Sequence, residues 1–414
     1  MNFLILGSGA DERDWADVIE SDRDHRVVAA HPGLGGFERL PGARDIEEAL
    51  AVEGVDAAIV GGDSELRTEG LRRLAAVGVS AIVLHPPADI PDPYYQVALS
   101  RQETGAVVVP DLAGRLHPGV RALQNALAHA RLRATPKPVS ILLEASYEHG
   151  DLLRLRFSRL VDLIRLLTGK EVETVLASAD PATGGPIENL IVQLRGGADL
   201  RGEIRLSRGV DRPVRLSIIN SQNDVLTLEF DPEQVASGRL TSRDRNGVEA
   251  IVEDYPAWDP KEALLTAFEA ATSRGGSTPR IPVGSTDAES NPAHDATDAK
   301  LGAAPSLLDG TRASELTDAV ARSVEKNRMI ELHYDEVSEL GSFKAVMTST
   351  GCGLLLLAML ALPVALAGPA LGFNGTLVIA YAIPPVLIIF LLFQLLRFLA
   401  RSPRNDSNAE SETN

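Results

Sequence analysis

The chain has 414 residues, more than a single hydrophobic core usually organises, so we expect at least two domains. Its composition, 44% hydrophobic and 23% charged, is typical of a globular protein. A net charge of -17 argues against a nucleic-acid partner, because binding phosphates requires a basic face. The single cysteine, Cys352, excludes an intramolecular disulfide framework and a four-cysteine zinc cluster, and we expect no metal site.

Residues 1–125 alternate short apolar runs with helical patterns, which is typical of a parallel sheet with crossover helices. The helical patterns lie at 46–52 and 66–76. The pattern predicts a doubly wound, Rossmann-like domain whose ligand binds at the carboxyl ends of the strands. The predicted strands are 3–6, 27–30, 57–60, 81–84 and 106–109.

The first strand ends in a glycine turn, Gly7-Ser8-Gly9-Ala10, which has the form of a pyrophosphate-binding turn. The dinucleotide fingerprint G-x-G-x-x-G requires a third glycine, and Glu12 stands at that position. Two interpretations remain open. The Glu12 carboxylate either occupies the anion site itself, where the helix dipole favours it, or is a variant that still admits a dinucleotide.

From about residue 137 strands follow one another without helices between them, which predicts a mostly antiparallel sheet in an α+β domain at 126–272 and 306–340. Helices are expected at 152–167 and 312–327. Residues 273–305 are rich in Gly, Pro, Ser, Ala and Asp, which predicts a flexible insertion. The predicted strands are 171–177, 188–194, 199–206, 214–220 and 225–230.

Two apolar stretches, 352–372 and 377–400, are each long enough to cross a bilayer and carry no charge before Arg397. They predict a helical hairpin of two transmembrane spans within 350–400, followed by a polar tail at 401–414. Lys344 precedes the first span, and Arg401 and Arg404 follow the second, which places both flanks in the cytoplasm. No signal peptide precedes the first strand, so we expect a multi-pass membrane protein whose large N-terminal part is cytoplasmic.

Four further segments carry a resemblance to a known family. They are VDAAIVGG at 55–62, VGVSAIVLHPP at 77–87, GRLHPGVRAL at 114–123 and RLVDLIRLLTG at 159–169. Together with the glycine turn, their order resembles the Gfo/Idh/MocA family of NAD(P)-dependent oxidoreductases over residues 1–335. The resemblance implies NAD or NADP as cofactor, and its binding residues would be Gly7, Ser8, Gly9, Ala10, Gly61, Gly62 and His85.

The resemblance also implies catalytic positions, and this chain departs from the family there. The family lysine falls on Pro86, which has no proton to exchange, and the family histidine falls on Arg159, a poor general base. The aspartate after it falls on Asp162. Catalytic candidates are therefore His85, Arg159 and Asp162. His85 is either a substitute acid-base group or structural, and Arg159 either binds an anionic substrate or belongs to a solvated face.

Two functions follow from these observations. The first is a membrane-anchored NAD(P)-dependent oxidoreductase acting on a sugar or sugar derivative. The second is a catalytically silent pseudoenzyme that binds or senses a ligand at the membrane. The missing lysine, the missing helix histidine and the altered glycine turn favour the second. The residues 30–32, Ala-His-Pro, also stand where the family has an acidic residue that binds the adenosine ribose. Homo-oligomerisation is left open.

Overall fold

The computed structural model describes residues 1–36, 43–88, 91–131, 139–181, 186–197, 200–220, 222–275, 304–332 and 334. These residues belong to one compact unit, Met1–Tyr334. The predicted hairpin at 350–400 and the tail at 401–414 lie outside the described residues. Among the helices within the described ranges, none combines the length and the apolar character that a bilayer crossing requires.

A five-stranded parallel sheet forms the N-terminal half of this unit, in the order β2-β1-β3-β4-β5. This confirms the predicted Rossmann-like sheet. The apolar runs form strands because both faces of a parallel sheet are covered by helices, so most of their positions are buried. The strands are β1 (Asn2–Leu6), β2 (Arg26–His31), β3 (Ala57–Val60), β4 (Ser80–Val83) and β5 (Val108–Pro110).

Eight α-helices are described within these ranges, together with a 3-10 turn at Ala113–Leu116 and a π-helical turn at Leu152–Phe157. The α-helices are α1 (Ala10–Ser21), α2 (Ile46–Leu50), α3 (Ser64–Val77), α4 (Asp92–Thr104), α5 (Pro118–Arg131), α6 (Ser158–Thr168), α7 (Pro260–Gly275) and α8 (Leu307–Lys326).

The alternation of side chains along β1 divides the N-terminal half into layers. Phe3 and Ile5 point into a core shared with α1 and α7, whereas Leu4 and Leu6 point into a core shared with α3 and α4. All four side chains are fully buried. The sheet is therefore covered on both faces, and its carboxyl edge is where the strands leave the core.

A nine-stranded sheet forms the second half, in the order β13-β12-β11-β10-β6-β9-β8-β7-β14. Only β6 and β9 pair in parallel within the described residues, which confirms a mostly antiparallel sheet. Helices α5, α6 and α8 cover one face and share its apolar core. The strands are β6 (Val139–Tyr147), β7 (Thr174–Pro181), β8 (Ile187–Gly196), β9 (Leu200–Arg208), β10 (Arg212–Ile219), β11 (Val225–Phe230), β12 (Ala236–Arg243), β13 (Glu249–Trp258) and β14 (Ile330–Glu331).

The structure differs from the predicted elements at three points. The helix expected at 152–167 begins with the π-helical turn, capped by the Asp151 carboxylate, and becomes α-helical only at Ser158. The helix expected at 312–327 begins at Leu307, because a capping box between Ser306 and Asp309 starts it one turn earlier. Residues 273–275, assigned to the flexible insertion, belong to α7, and 276–303 lie outside the described residues.

Candidate functional site

The glycines named from the sequence lie together at the carboxyl ends of β1 and β3. Gly7 leaves β1 with a φ of +116°, and Gly62 follows β3 with a φ of +81°, conformations that favour glycine. Gly9 is the N-cap of α1 and has no side chain to cap it, while Gly61 separates β3 from Gly62. The four glycines form a hollow, the glycine cradle, beside the start of α1.

The Glu12 side chain lies inside this cradle and is only 4% exposed. Its Oε1 atom accepts a hydrogen bond of 2.5 Å from the Gly62 amide, and its Oε2 atom lies 2.5 Å from where a Cβ on Gly9 would stand. Ser8 and Ala10 are exposed on the same turn. The Glu12 carboxylate therefore fills the space that the four glycines leave open beside the start of α1.

The end of β2, where an acidic residue would hold an adenosine ribose, carries His31. Its Nδ1 atom lies 2.9 Å from the carbonyl oxygen of Ala43, so the ring is held by the chain itself. This position supplies no carboxylate to a ribose hydroxyl.

His85 follows β4, and its ring is fully buried. The Nδ1 atom lies 2.8 Å from the Tyr94 hydroxyl, within hydrogen-bond distance. Burial, reinforced by the positive charges of Arg159 and Arg67, lowers the pKa of His85 to about 3. Arg67 also donates a hydrogen bond of 2.6 Å to the carbonyl oxygen of Pro86 and holds this segment in place. The ring is therefore neutral at pH 7 and a weak base.

Arg159 on α6 joins the β4 end to the glycine turn. Its Nε donates a hydrogen bond of 3.0 Å to the carbonyl oxygen of His85, and its Nη2 lies 4.0 Å from Asp11 Oδ2 in the first turn of α1. Its Nη1 lies 3.7 Å from Glu233 Oε1. Burial lowers the pKa of Arg159, but Glu233, Asp111 and Asp11 raise it by more, so it remains charged. The side chain is 15% exposed, and the solvated-face interpretation was wrong.

Two carboxylates beside Arg159 were missed from the sequence. Asp111 directly follows β5, is partly exposed, and has a backbone amide bonded to the Val83 carbonyl at 2.8 Å. Burial raises the pKa of Asp111, and the charge of Arg159 opposes that shift without cancelling it. A polar residue directly after a parallel strand is a signal that the sequence does contain. No comparable local signal marks Glu233, which is brought in from the loop after β11.

Glu233 also forms an ion pair with Arg156, and the Arg156 guanidinium lies over the Tyr147 ring at 4.3 Å from its centroid. These contacts connect Glu233, through Arg156, to Tyr147 at the end of β6 in the nine-stranded sheet. We use the term charged crevice for the group Asp11, Asp111, Arg156, Arg159 and Glu233.

Asp162, three residues after Arg159, lies in a different environment. Its carboxylate is 1% exposed and lies 3.1 Å from Arg115 Nε and 3.5 Å from Arg165 Nη1. Arg115 also bonds Asp309 Oδ2 at 2.6 Å, and Arg165 lies 3.4 Å from Asp309 Oδ1. These four residues form a buried ion network between α6, α8 and the 3-10 turn. The structure thus brings His85, Arg159 and the glycine turn together but keeps the Asp162 carboxylate inside this network.

Neither a protein-family model nor a curated protein matches this sequence. Solved structures do match it in fold. One is an aldose-aldose oxidoreductase from Caulobacter crescentus complexed with glycerol, with a TM-score of 0.61 at 14% identity, covering 80% of this chain and 99% of that one.

A second is a UDP-N-acetylglucosamine 3-dehydrogenase from Acidithiobacillus ferrooxidans, with a TM-score of 0.60 at 16% identity, covering 79% of this chain and 98% of that one. A third is a 3-ketoreductase variant from Actinomadura kijaniata in complex with NADP and TDP-benzene, with a TM-score of 0.61 at 16% identity, covering 78% of this chain and 98% of that one.

The chain thus shares its fold with these solved oxidoreductases, a Rossmann-like parallel sheet followed by an α+β part with a mostly antiparallel sheet. At identities of 14% to 16% the likeness establishes the fold and leaves the activity to be argued from the site.

Proposed function

We propose that the chain is an NAD(P)-dependent oxidoreductase that acts on a sugar or sugar derivative in the charged crevice. The observation that carries the proposal is a charged Arg159 that interacts electrostatically with Asp111, a partly exposed carboxylate of raised pKa, at the carboxyl edge of a Rossmann-like sheet. Ligands of such sheets bind at this edge. A guanidinium among carboxylates offers donors and acceptors that suit the hydroxyl groups of a sugar.

In this proposal Arg159 orients the substrate and Asp111 accepts the proton of the reacting hydroxyl. The substrate carbon loses a hydride and its hydroxyl loses a proton, which gives a carbonyl product. When bound, the nicotinamide ring supplies the hydride acceptor. Burial raises the pKa of Asp111 above its ordinary value, which makes its carboxylate a stronger base. Asp111 would supply the proton acceptor that Pro86 cannot.

His85, a candidate acid-base group from the sequence, suits the role of proton acceptor less well than Asp111. A base with a pKa of about 3 accepts a proton poorly at neutral pH, and the ring is fully buried against Tyr94. Its carbonyl oxygen holds Arg159, so the contribution of His85 in this proposal is to position that side chain.

The experiment compares turnover by the full-length protein and its Asp111→Asn variant on aldoses, inositols and nucleotide sugars. We expect wild-type turnover with NAD or NADP, and a fall in kcat of about 100- to 10,000-fold in the variant at unchanged cofactor affinity. Asp17→Asn, which neutralises an exposed carboxylate on α1, is the charge-matched control. Full activity in Asp111→Asn would refute the proposed base.

A second candidate, a catalytically silent binding protein, is favoured by one observation, the Glu12 carboxylate inside the glycine cradle. It predicts ligand binding in the charged crevice without turnover on any of these substrates. For either function, we propose that the apolar stretches at 352–372 and 377–400 anchor the unit to a membrane, with both flanks in the cytoplasm.

A further inference from the structure

The glycine cradle has two features that favour an anion, a helix amino end and an inward-pointing backbone amide. It adjoins the amino end of α1, whose first amides and dipole favour negative charge. The Gly62 amide points into it and donates to Glu12 Oε1 at 2.5 Å. Because no glycine side chain fills the hollow, the nearest atoms to a Cβ built on Gly7, Gly9 or Gly61 include the Glu12 carboxylate.

Glu12 therefore already makes the interactions in the cradle that a bound phosphate would make. It brings a negative charge, an acceptor for the Gly62 amide and the volume that closes the hollow. A hydrogen bond from an amide to a carboxylate is stronger than one between neutral groups, so this contact resists displacement. A second anion in the same hollow would meet the carboxylate at close range in a buried place, where repulsion is poorly screened.

We infer that Glu12 is an internal competitor of the dinucleotide pyrophosphate and sets the affinity of this chain for NAD(P). The inference rests on the cofactor site of the proposed function. Wild-type protein binds a dinucleotide only when the Glu12 side chain turns out of the cradle, and each binding event gives up the Gly62 contact. Removing the carboxylate leaves the backbone of the cradle intact and opens it to phosphate.

The test measures dissociation constants of NADH and NADPH for the full-length protein by nicotinamide fluorescence, and of inorganic pyrophosphate by calorimetry. The variants are Glu12→Ala, which empties the cradle while keeping a strong helix former, and Glu12→Gln, which removes the charge but keeps an acceptor for Gly62. Asp17→Asn is the control. Tryptophan fluorescence, to which the fully buried Trp15 on the same helix contributes, reports whether each variant is folded. Should Glu12→Ala fail to fold, Glu12→Gln carries the test.

We expect Glu12→Ala to bind NADH or NADPH at least tenfold more tightly than wild type, with Glu12→Gln between them and Asp17→Asn unchanged. Equal affinities in wild type and both Glu12 variants would overturn the inference and leave the cofactor proposal standing if binding is tight. Failure of every variant to bind either dinucleotide or pyrophosphate would overturn both. Tighter binding in Glu12→Ala without turnover would support the inference and refute the oxidoreductase.

Discussion

Replacing Asp162 by alanine tests whether this residue has a catalytic or a structural role, because the first predicts a loss of turnover and the second a loss of stability. The sequence nominated this residue for catalysis, whereas the structure places its carboxylate in the buried ion network with Arg115, Arg165 and Asp309. Burial raises the pKa of Asp162, and the charge of Arg115 counteracts this. The carboxylate is held in place by its cationic neighbours, and Asp162→Ala leaves those cations short of one partner.

The size of the effect follows from the burial. Removing one partner of a buried ion pair costs about 3–5 kcal/mol, and we expect the lower end, about 3 kcal/mol, because Arg115 and Arg165 both retain Asp309. The matched control is Asp318→Ala, which breaks an ion pair of 2.9 Å with Arg322 on α8 whose side chains are 39% and 45% exposed. An exposed pair of this kind contributes about 0.5 kcal/mol.

The assay is urea unfolding of the full-length protein followed by tryptophan fluorescence. Both tryptophans of the chain, Trp15 and Trp258, lie in the described unit, so the signal reports its unfolding alone. With a slope of about 3 kcal/mol per molar urea, Asp162→Ala should lower the midpoint by roughly 1 M. A variant with an unchanged midpoint that has lost turnover would refute the structural assignment and restore Asp162 as a catalytic candidate.

Two further predictions concern pH and the C-terminal segment. The pKa of His85 is about 3 in the folded state and near 6.5 when unfolded, so its neutral form stabilises the fold above pH 6.5 and this contribution is lost as pH falls. Between pH 7 and pH 5 we expect the free energy of unfolding of the wild type to fall by about 2 kcal/mol more than that of His85→Gln. Urea unfolding at both pH values measures this difference, and equal losses in the two proteins would contradict the burial argument. Truncation after Ser342 should leave a folded protein that no longer sediments with membranes, and a truncated protein that aggregates or melts without cooperativity would show that the removed segment is needed for the core.

The strands of the parallel sheet could be predicted because each contains a short run of apolar residues, most of them buried. β13 was missed for the opposite reason, and β12, whose buried positions are Gly238 and Leu240, was missed as well. Most residues of β13 are exposed, and Val248, Ile251 and Val252 at this edge of the sheet are more than half exposed. Because β13 has no buried face, its sequence lacks the alternation of apolar and polar residues that predicts a strand. The parallel pairing of β6 with β9 joins segments about 60 residues apart, which local periodicity does not record.

The sequence by itself determined the Rossmann-like alternation, the glycine turn, and the absence of a lysine and a histidine at the positions where the family has them. These features are local, since each depends on a residue and its near neighbours. Only the tertiary structure decided that Glu12 points into the cradle, that Asp162 belongs to an ion network with Asp309, and that Glu233 faces Arg159. In the sequence, Glu12 is 50 positions from Gly62, Asp162 is 147 from Asp309, and Arg159 is 74 from Glu233. Their chemistry depends on which chain segments the fold brings into contact, and on how much water the packing leaves between them.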